Sequence, residues 1–324
     1  MNQMDTFERY LIEEFYDDYR EGLINRRTFI RRVAFITGSI GATISAMAAA
    51  GCAPAELPTA SESMPAPQSP TAAAAANTQP APTTDARSPL SVPDGDPAVR
   101  AEDVSFANQG AQIAAYLAQP AAVGAYPAVM VCHENRGLTP HIRDVARRFA
   151  KAGYVALAID LLSREGGTAS RDRDEIPGHL TNAGAERHVG DFLAGYQYLT
   201  GLESVATGRV GMTGYCFGGG ITWRTAAALP ELKAAAPFYG PAPDLDQVPN
   251  IRAAVLGVYA EQDDRITGNM GPLDDALKAA GVTHRMNVYP GVGHAFHNDT
   301  GERYNEAQAT QAWNDTLAWF KQYL

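Results

Sequence analysis

Cysteine is scarce in this chain: Cys52, Cys132 and Cys216 are the only three among 324 residues. Thiols this few and this scattered exclude a disulfide framework and a structural zinc site, since both need closely spaced sets of cysteine or histidine. Basic runs are missing after position 35, and 26 Lys plus Arg stand against 36 Asp plus Glu, a formal charge of −10. A nucleic-acid partner goes with them, because affinity for a polyanion comes from neutralising its phosphates. Strongly apolar runs are also lacking. The uncharged stretch from Val33 to Gly51 is rich in Gly, Ala, Ser and Thr, weaker than a typical membrane-spanning helix. What is present is 45% hydrophobic against 19% charged residues, enough for one sizeable core, so a wholly disordered chain is excluded.

The first 90 residues read as three pieces outside that core. Phe7 to Gly22 is acidic and aromatic with helix-like apolar spacing. Asn25-Arg26-Arg27-Thr28-Phe29-Ile30-Arg31 then resembles a twin-arginine export signal, and Val33 to Gly51 suits its mildly apolar region. Ala49-Ala50-Gly51-Cys52 resembles a bacterial lipobox, with Cys52 as the lipidated residue, although Ala49 stands where that pattern prefers a branched aliphatic. A plain small-residue cleavage site or an uncleaved anchor is the competing reading. Ala53 to Pro89 is dominated by Pro, Ala, Thr and Ser and buries almost nothing, as expected of a tether. The expected organisation is an export extension over 1–52, a linker over 53–89 and a globular domain over 90–324. Its expected location is the extracytoplasmic face of a bacterial cytoplasmic membrane. The twin-arginine machinery is the expected export partner, and the N-terminal signal or lipid the only membrane contact.

From Leu90 onward, short β-like runs alternate with longer amphipathic stretches, which predicts an α/β fold with a mainly parallel, doubly wound sheet. The pattern predicts strands over 103–107, 112–118, 128–133, 155–160, 210–214, 234–239, 254–259 and 285–289. Helices are expected over 140–152, 182–200, 218–229, 272–280 and 303–323. No internal repeat is visible. Ligands of such a sheet sit at the carboxyl ends of its strands.

Where the predicted strand 210–214 gives way to a helix lies Gly214-Tyr215-Cys216-Phe217-Gly218. This is the spacing of a nucleophile elbow, Gly-x-nucleophile-x-Gly, with cysteine as nucleophile. The helix N-terminus favours thiolate, and the Phe217 N–H points where an oxyanion would form. A buried, inert cysteine in a glycine-rich turn is the alternative. An elbow of this kind is followed in chain order by an acid and a histidine, and two post-strand loops supply them. Asp263, with Asp264 as rival, would fix the tautomer of His294, with His297 as rival, and His294 would act as general base. Glu134 follows the strand 128–133, and the Asn135 N–H is the candidate second oxyanion donor. His133-Glu134 does not continue as a zinc-protease motif, because position 137 is Gly.

With these motifs in hand, the region from about 100 to 324 resembles the dienelactone hydrolase family, the carboxymethylenebutenolidases. The residues that carry the resemblance are His133-Glu134-Asn135-Arg136-Gly137, Gly214-Tyr215-Cys216-Phe217-Gly218-Gly219, Asp263, and Gly293-His294-Ala295-Phe296. The resemblance implies an α/β-hydrolase fold, a Cys216-Asp263-His294 triad and no cofactor or metal. It also implies that Glu134 interacts with the resting thiol and helps to activate it. Arg164 matches the first of two arginines that hold the substrate carboxylate in the family; the second position holds Asn298, and Arg303 is nearby but misaligned. Arg136 is an alternative anion contact or a structural hydrogen bonder. Cys132 is expected to be a buried core thiol. The expected function is cleavage of a lactone or small carboxylic ester through an acyl-cysteine. The alternative is a non-catalytic ligand-binding surface lipoprotein on the same fold, whose mark would be loss of a triad or oxyanion element.

Overall fold

A computed structural model describes residues 6–38 and 87–324 of the chain. The domain opens with an antiparallel hairpin of β1 (Val99–Asn108) and β2 (Ala111–Pro120). Its two-residue turn, Gln109-Gly110, has positive φ at both positions, the geometry that matches the twist of paired strands. Six further strands follow: β3 (Tyr126–Cys132), β4 (Val155–Ile159), β5 (Val205–Tyr215), β6 (Ala234–Phe238), β7 (Ala254–Ala260) and β8 (His284–Tyr289). They form one sheet in the order β1-β2-β4-β3-β5-β6-β7-β8, parallel from β4 to β8. The central strands β4, β6 and β7 are buried at every position, as required where helices cover both faces. All eight predicted strands are present, with shifted ends.

One face is covered by α3 (Pro140–Lys151) and the last helix α8 (Glu306–Tyr323), whose aromatic rings interlock: Phe149 lies 4.5 Å from Trp313 and 6.0 Å from Phe320. The opposite face carries α5 (Ala185–Thr200) and α6 (Phe217–Ala228), preceded by the short α4 (Ile176–Ala183). The helix expected over 182–200 starts only at Ala185, because residues 182–183 end α4 and Gly184, at φ 80°, separates the two. A further helix, α7 (Met270–Ala279), lies between β7 and β8. The chain runs from β3 to one side of the sheet and later returns to the other side as β5. Their shared carboxyl end is therefore the switch point where an α/β sheet opens a crevice.

The N-terminal segment departs from expectation. Residues 6–38 are not a free extension. They form two helices, α1 (Thr6–Arg20) and α2 (Arg26–Thr37), whose apolar residues Phe7, Leu11, Phe15, Phe29, Val33 and Ile36 belong to the domain's hydrophobic core. The helix-like spacing at Phe7, Leu11 and Phe15 gives α1 one apolar face, and burying it against the domain is more favourable than leaving it in water. The Asn25 side chain caps the start of α2 at the Thr28 N–H (2.9 Å), and Gly38 ends it at φ 74°. Arg31 pairs with Asp172 and Arg32 with Asp174, which ties α2 to the segment before α4. Cys52, the lipobox and nearly all of the expected linker lie outside the described residues. Among the described residues, no helix is long and apolar enough to cross a membrane.

Candidate active site

Cys216 stands between β5 and α6 at φ 58°, ψ −120°, a conformation that L side chains rarely adopt. The turn is possible only because its flanks are bare. A Cβ on Gly214 would lie 2.2 Å from the Gly218 carbonyl oxygen, and one on Gly218 would lie 2.5 Å from that of His133. The missing side chains let α6 start against the end of β3, lifting Cys216 over the switch point. The Phe217 N–H, at the first position of α6, stands next to the sulfur and acts to lower the thiol pKa.

Asp263 follows β7 and His294 follows β8. The His294 Nδ1–H donates to Asp263 Oδ2 at 2.6 Å, which leaves Nε2 facing the sulfur side of the site. Burial acts against a charged His294, but the Asp263 and Glu14 carboxylates outweigh it and raise its pKa. Asp263 is itself held low, since the positive charge of His294 overcomes the burial penalty. The two rivals fall away. Asp264 is exposed, and His297 is fully buried, stacked on Tyr215 at 4.8 Å, with burial driving its pKa far down.

Glu134 and Asn135 do emerge beside Cys216 from the end of β3, but their contacts differ from those implied. Asn298 Nδ2 donates to Glu134 Oε2 at 2.6 Å, so the position of the missing arginine holds the glutamate. Burial raises the pKa of Glu134. The thiol's carboxylate partner is Glu14 of α1, with oxygens 3.4 and 3.6 Å from Sγ. The Asn135 side chain donates to that same carboxylate at 2.8 Å. Tyr10, one turn earlier on α1, has its hydroxyl 3.4 Å from both Cys216 Sγ and His294 Nε2. Burial first, then Glu14 and Glu134, push the thiol pKa well up, so the resting sulfur is protonated. Glu14 carries the opposite shift, because His294 and Arg265 outweigh the cost of its burial.

The arginines divide. Arg164 is not a free anion contact: its guanidinium grips both oxygens of the buried Asp191 at 2.8 and 2.6 Å and reaches the Asn108 carbonyl. Its proximity in sequence to the end of β4 was the only signal, and α5 supplies a carboxylate that takes it up. Arg136 lies 3.9 Å from Asp18 of α1, and Arg303 pairs with Asp18 and Glu21. Arg265 joins Asp17 and the Tyr10 carbonyl. Cys132 is a buried free thiol on β3, raised by burial alone. Among the described residues, Glu14, Cys216 and His294 are the group whose ligating atoms come within 4.8 Å of one another. Their hydrogen bonds to Tyr10 and Asn135 already account for that closeness.

The dienelactone hydrolase family profile matches residues 113–324, which hold the elbow, the acid, the histidine and the Glu134 loop. The chain belongs to the dienelactone hydrolase family. A Salmonella typhi relative named “Putative carboxymethylenebutenolidase” is 38% identical over 249 residues, 72% of this chain and 91% of that protein. A solved Klebsiella pneumoniae structure named “Putative Dienelactone Hydrolase” is 34% identical with a TM-score of 0.65, covering 70% of this chain and all of that one. The dienelactone hydrolase structure from Anabaena variabilis, at 23% identity and a TM-score of 0.56, shares the fold, covering 70% of this chain and 99% of its own. The sheet with its flanking helices is accordingly the α/β-hydrolase fold of this family.

Proposed function

We propose that this dienelactone hydrolase family member, a hydrolase acting on lactone or ester bonds, works through a Cys216-Asp263-His294 triad and an acyl-cysteine intermediate. The observation that carries the reading is the strained Cys216 at the elbow, facing a His294 already oriented by Asp263 at 2.6 Å. In the reaction, the thiol proton passes to His294 Nε2 and the sulfur attacks the carbonyl carbon. The oxyanion is received by the Phe217 and Asn135 N–H groups. Collapse expels an alkoxide, which takes the proton back from His294; for a lactone, that alkoxide stays on the acyl chain. His294 then deprotonates a water that attacks the thioester; the acid leaves, the Cys216 thiolate takes back the proton from His294, and no cofactor enters. Asn298 in place of an arginine removes one carboxylate clamp, so small neutral lactones and esters fit better than an anionic dienelactone. The closeness of Cys216, Asp263 and His294 supports this reading over the non-catalytic alternative.

The test is hydrolysis of activated aryl esters and small lactones by the full chain and by Cys216→Ala. Turnover is expected to fall about a thousandfold or more in the variant, and intact-mass spectra of the wild type should show an acyl adduct on Cys216. Turnover unchanged in Cys216→Ala would overturn the reading. We further propose that residues 1–51 direct export and that Cys52 becomes lipidated, placing the domain at the extracytoplasmic face. The Arg26-Arg27 pair and the Cys52 context support this. A diacylglyceryl Cys52 at the mature N-terminus is expected by mass spectrometry of membrane extracts, and an intact Met1 would refute it.

A further inference from the structure

The contacts of α1 are those of an occupant of the active site. Cys216 is only 2% exposed, because α1 lies over it. Both oxygens of Glu14 face the sulfur at 3.4 and 3.6 Å, which is where a substrate carbonyl has to stand before attack. The Tyr10 hydroxyl sits within 3.4 Å of both sulfur and imidazole and competes with the hydrogen bond between nucleophile and base. Phe7 packs on the ring of Phe217 at 5.1 Å and closes the far side. A cleft of about 400 Å³ opens beside the site, lined in part by Glu14, Asp263, Arg265, His294 and Arg303, but it does not reach Cys216. Glu14 both lines that cleft and touches the sulfur. The helix is clamped from both flanks, by Arg265 to Asp17 and by Arg303 to Asp18 and Glu21, and α2 backs it through Arg32, whose guanidinium lies 5.2 Å from the centre of the Phe15 ring.

We infer that helix α1 is a built-in inhibitor: it occupies the acyl subsite with Glu14, and the enzyme acts only when α1 has left the cleft. The inference rests on Cys216 being the nucleophile. The nucleophile and the base are both engaged by α1, the thiol by Glu14 and the imidazole by Tyr10, and the Asn135 side chain also donates to Glu14. Loss of the segment before Cys52 during export would remove α1 together with α2, so the full chain would turn over only through transient opening of α1, and the mature domain without that restraint.

The decisive experiment follows alkylation of Cys216 by iodoacetamide in the full chain, read by peptide mass spectrometry, so that it does not depend on any substrate. Phe7→Lys places a second positive charge beside Arg224, whose guanidinium lies 4.2 Å from the centre of the Phe7 ring, and is expected to expel α1, raising the alkylation rate about tenfold or more by increasing the open fraction. Glu14→Gln keeps the shape of the helix but removes the carboxylate facing the thiol. Its alkylation profile should move to lower pH, because among the groups facing the sulfur from α1, the β3 loop and the β8 loop it deletes an anion and leaves Tyr10, Glu134 and His294. Rates and pH profiles equal to wild type in both variants would overturn the inference. If Phe7→Lys fails to fold, Glu14→Gln decides alone. Faster alkylation without ester turnover would uphold α1 as the cover of Cys216 and sink the hydrolase reading instead.

Discussion

Asp263→Asn is expected to lower kcat/KM on an activated ester by about a thousandfold or more while leaving the fold intact. Asp263 is 5% exposed and accepts the Nδ1–H of His294, so the proton is kept off Nε2, the nitrogen that receives the thiol proton in the proposed mechanism. An Asn side chain can present its NH₂ to Nδ1 instead. That reverses the tautomer and puts a hydrogen on Nε2, which then cannot act as base. The second effect is electrostatic. The upward shift of His294 comes from Asp263 and Glu14 working against burial, and without Asp263 the imidazolium formed during attack loses its nearest anion. Far-UV circular dichroism and kinetics measured together check this: native-like spectra with nearly unchanged kcat/KM would show that Asp263 neither orients nor stabilises His294.

Asp299→Ala is expected to destabilise the domain by about 3–5 kcal/mol, because it takes away one of the two carboxylates on buried Arg148 and the hydrogen-bond partner of buried His141 Nδ1. Asp299 is fully buried two residues beyond His297 and joins separate elements. One oxygen accepts from His141 Nδ1 at 2.7 Å, the other from Arg148 at 2.7 Å and from the Ser88 N–H at 3.1 Å. Arg148 keeps Asp144 but is too deeply buried to be rescued by water. For a domain of this size the melting temperature should fall by roughly 10 °C or more. Asp299 also has a pH signature. Burial alone would raise its pKa, but the His141 hydrogen bond and the Arg148 charge outweigh it and hold it low. A carboxyl held low in the folded state contributes stability above its unfolded pKa and loses it as pH falls through the folded one. The gap between wild type and Asp299→Ala should therefore be full at neutral pH and shrink only in strong acid. A gap that closed between pH 5 and 7 would assign the coupling to other groups.

The sheet was legible from sequence because β3, β4, β6 and β7 are short apolar runs bounded by turn residues, and those features depend only on local spacing. The elbow, Asp263 and His294 were legible for the same reason: each sits where a run ends. What sequence could not show was partnership over distance. The apolar spacing of Phe7, Leu11 and Phe15 announced a helix, but nothing local says that Glu14, on that helix, meets Cys216 some 200 positions later. Arg164 illustrates the reverse error. It follows β4 as expected, yet Asp191 on α5, unremarkable in sequence, takes up its charge. Asn298 was seen as a loss of charge; in the fold it gains a task by holding Glu134.

The two anchor points of the N-terminal segment have a kinetic corollary. Residues up to Thr37 end in a helix docked beside α4, and further along the chain the backbone N–H of Arg87 is bonded to the Asp299 carbonyl. Both ends of the intervening stretch are thus held on one body, and α1 and its cleft are parts of one molecule. Rebinding is then a first-order event governed by an effective local concentration, independent of how dilute the protein is. An interaction of only about micromolar strength would keep the cleft occupied while the chain is continuous, yet the same contacts would be mostly dissociated at nanomolar concentration once the connection is severed. A single peptide-bond cleavage anywhere between the anchors would change the molecularity of the equilibrium without altering one contact of the bound helix.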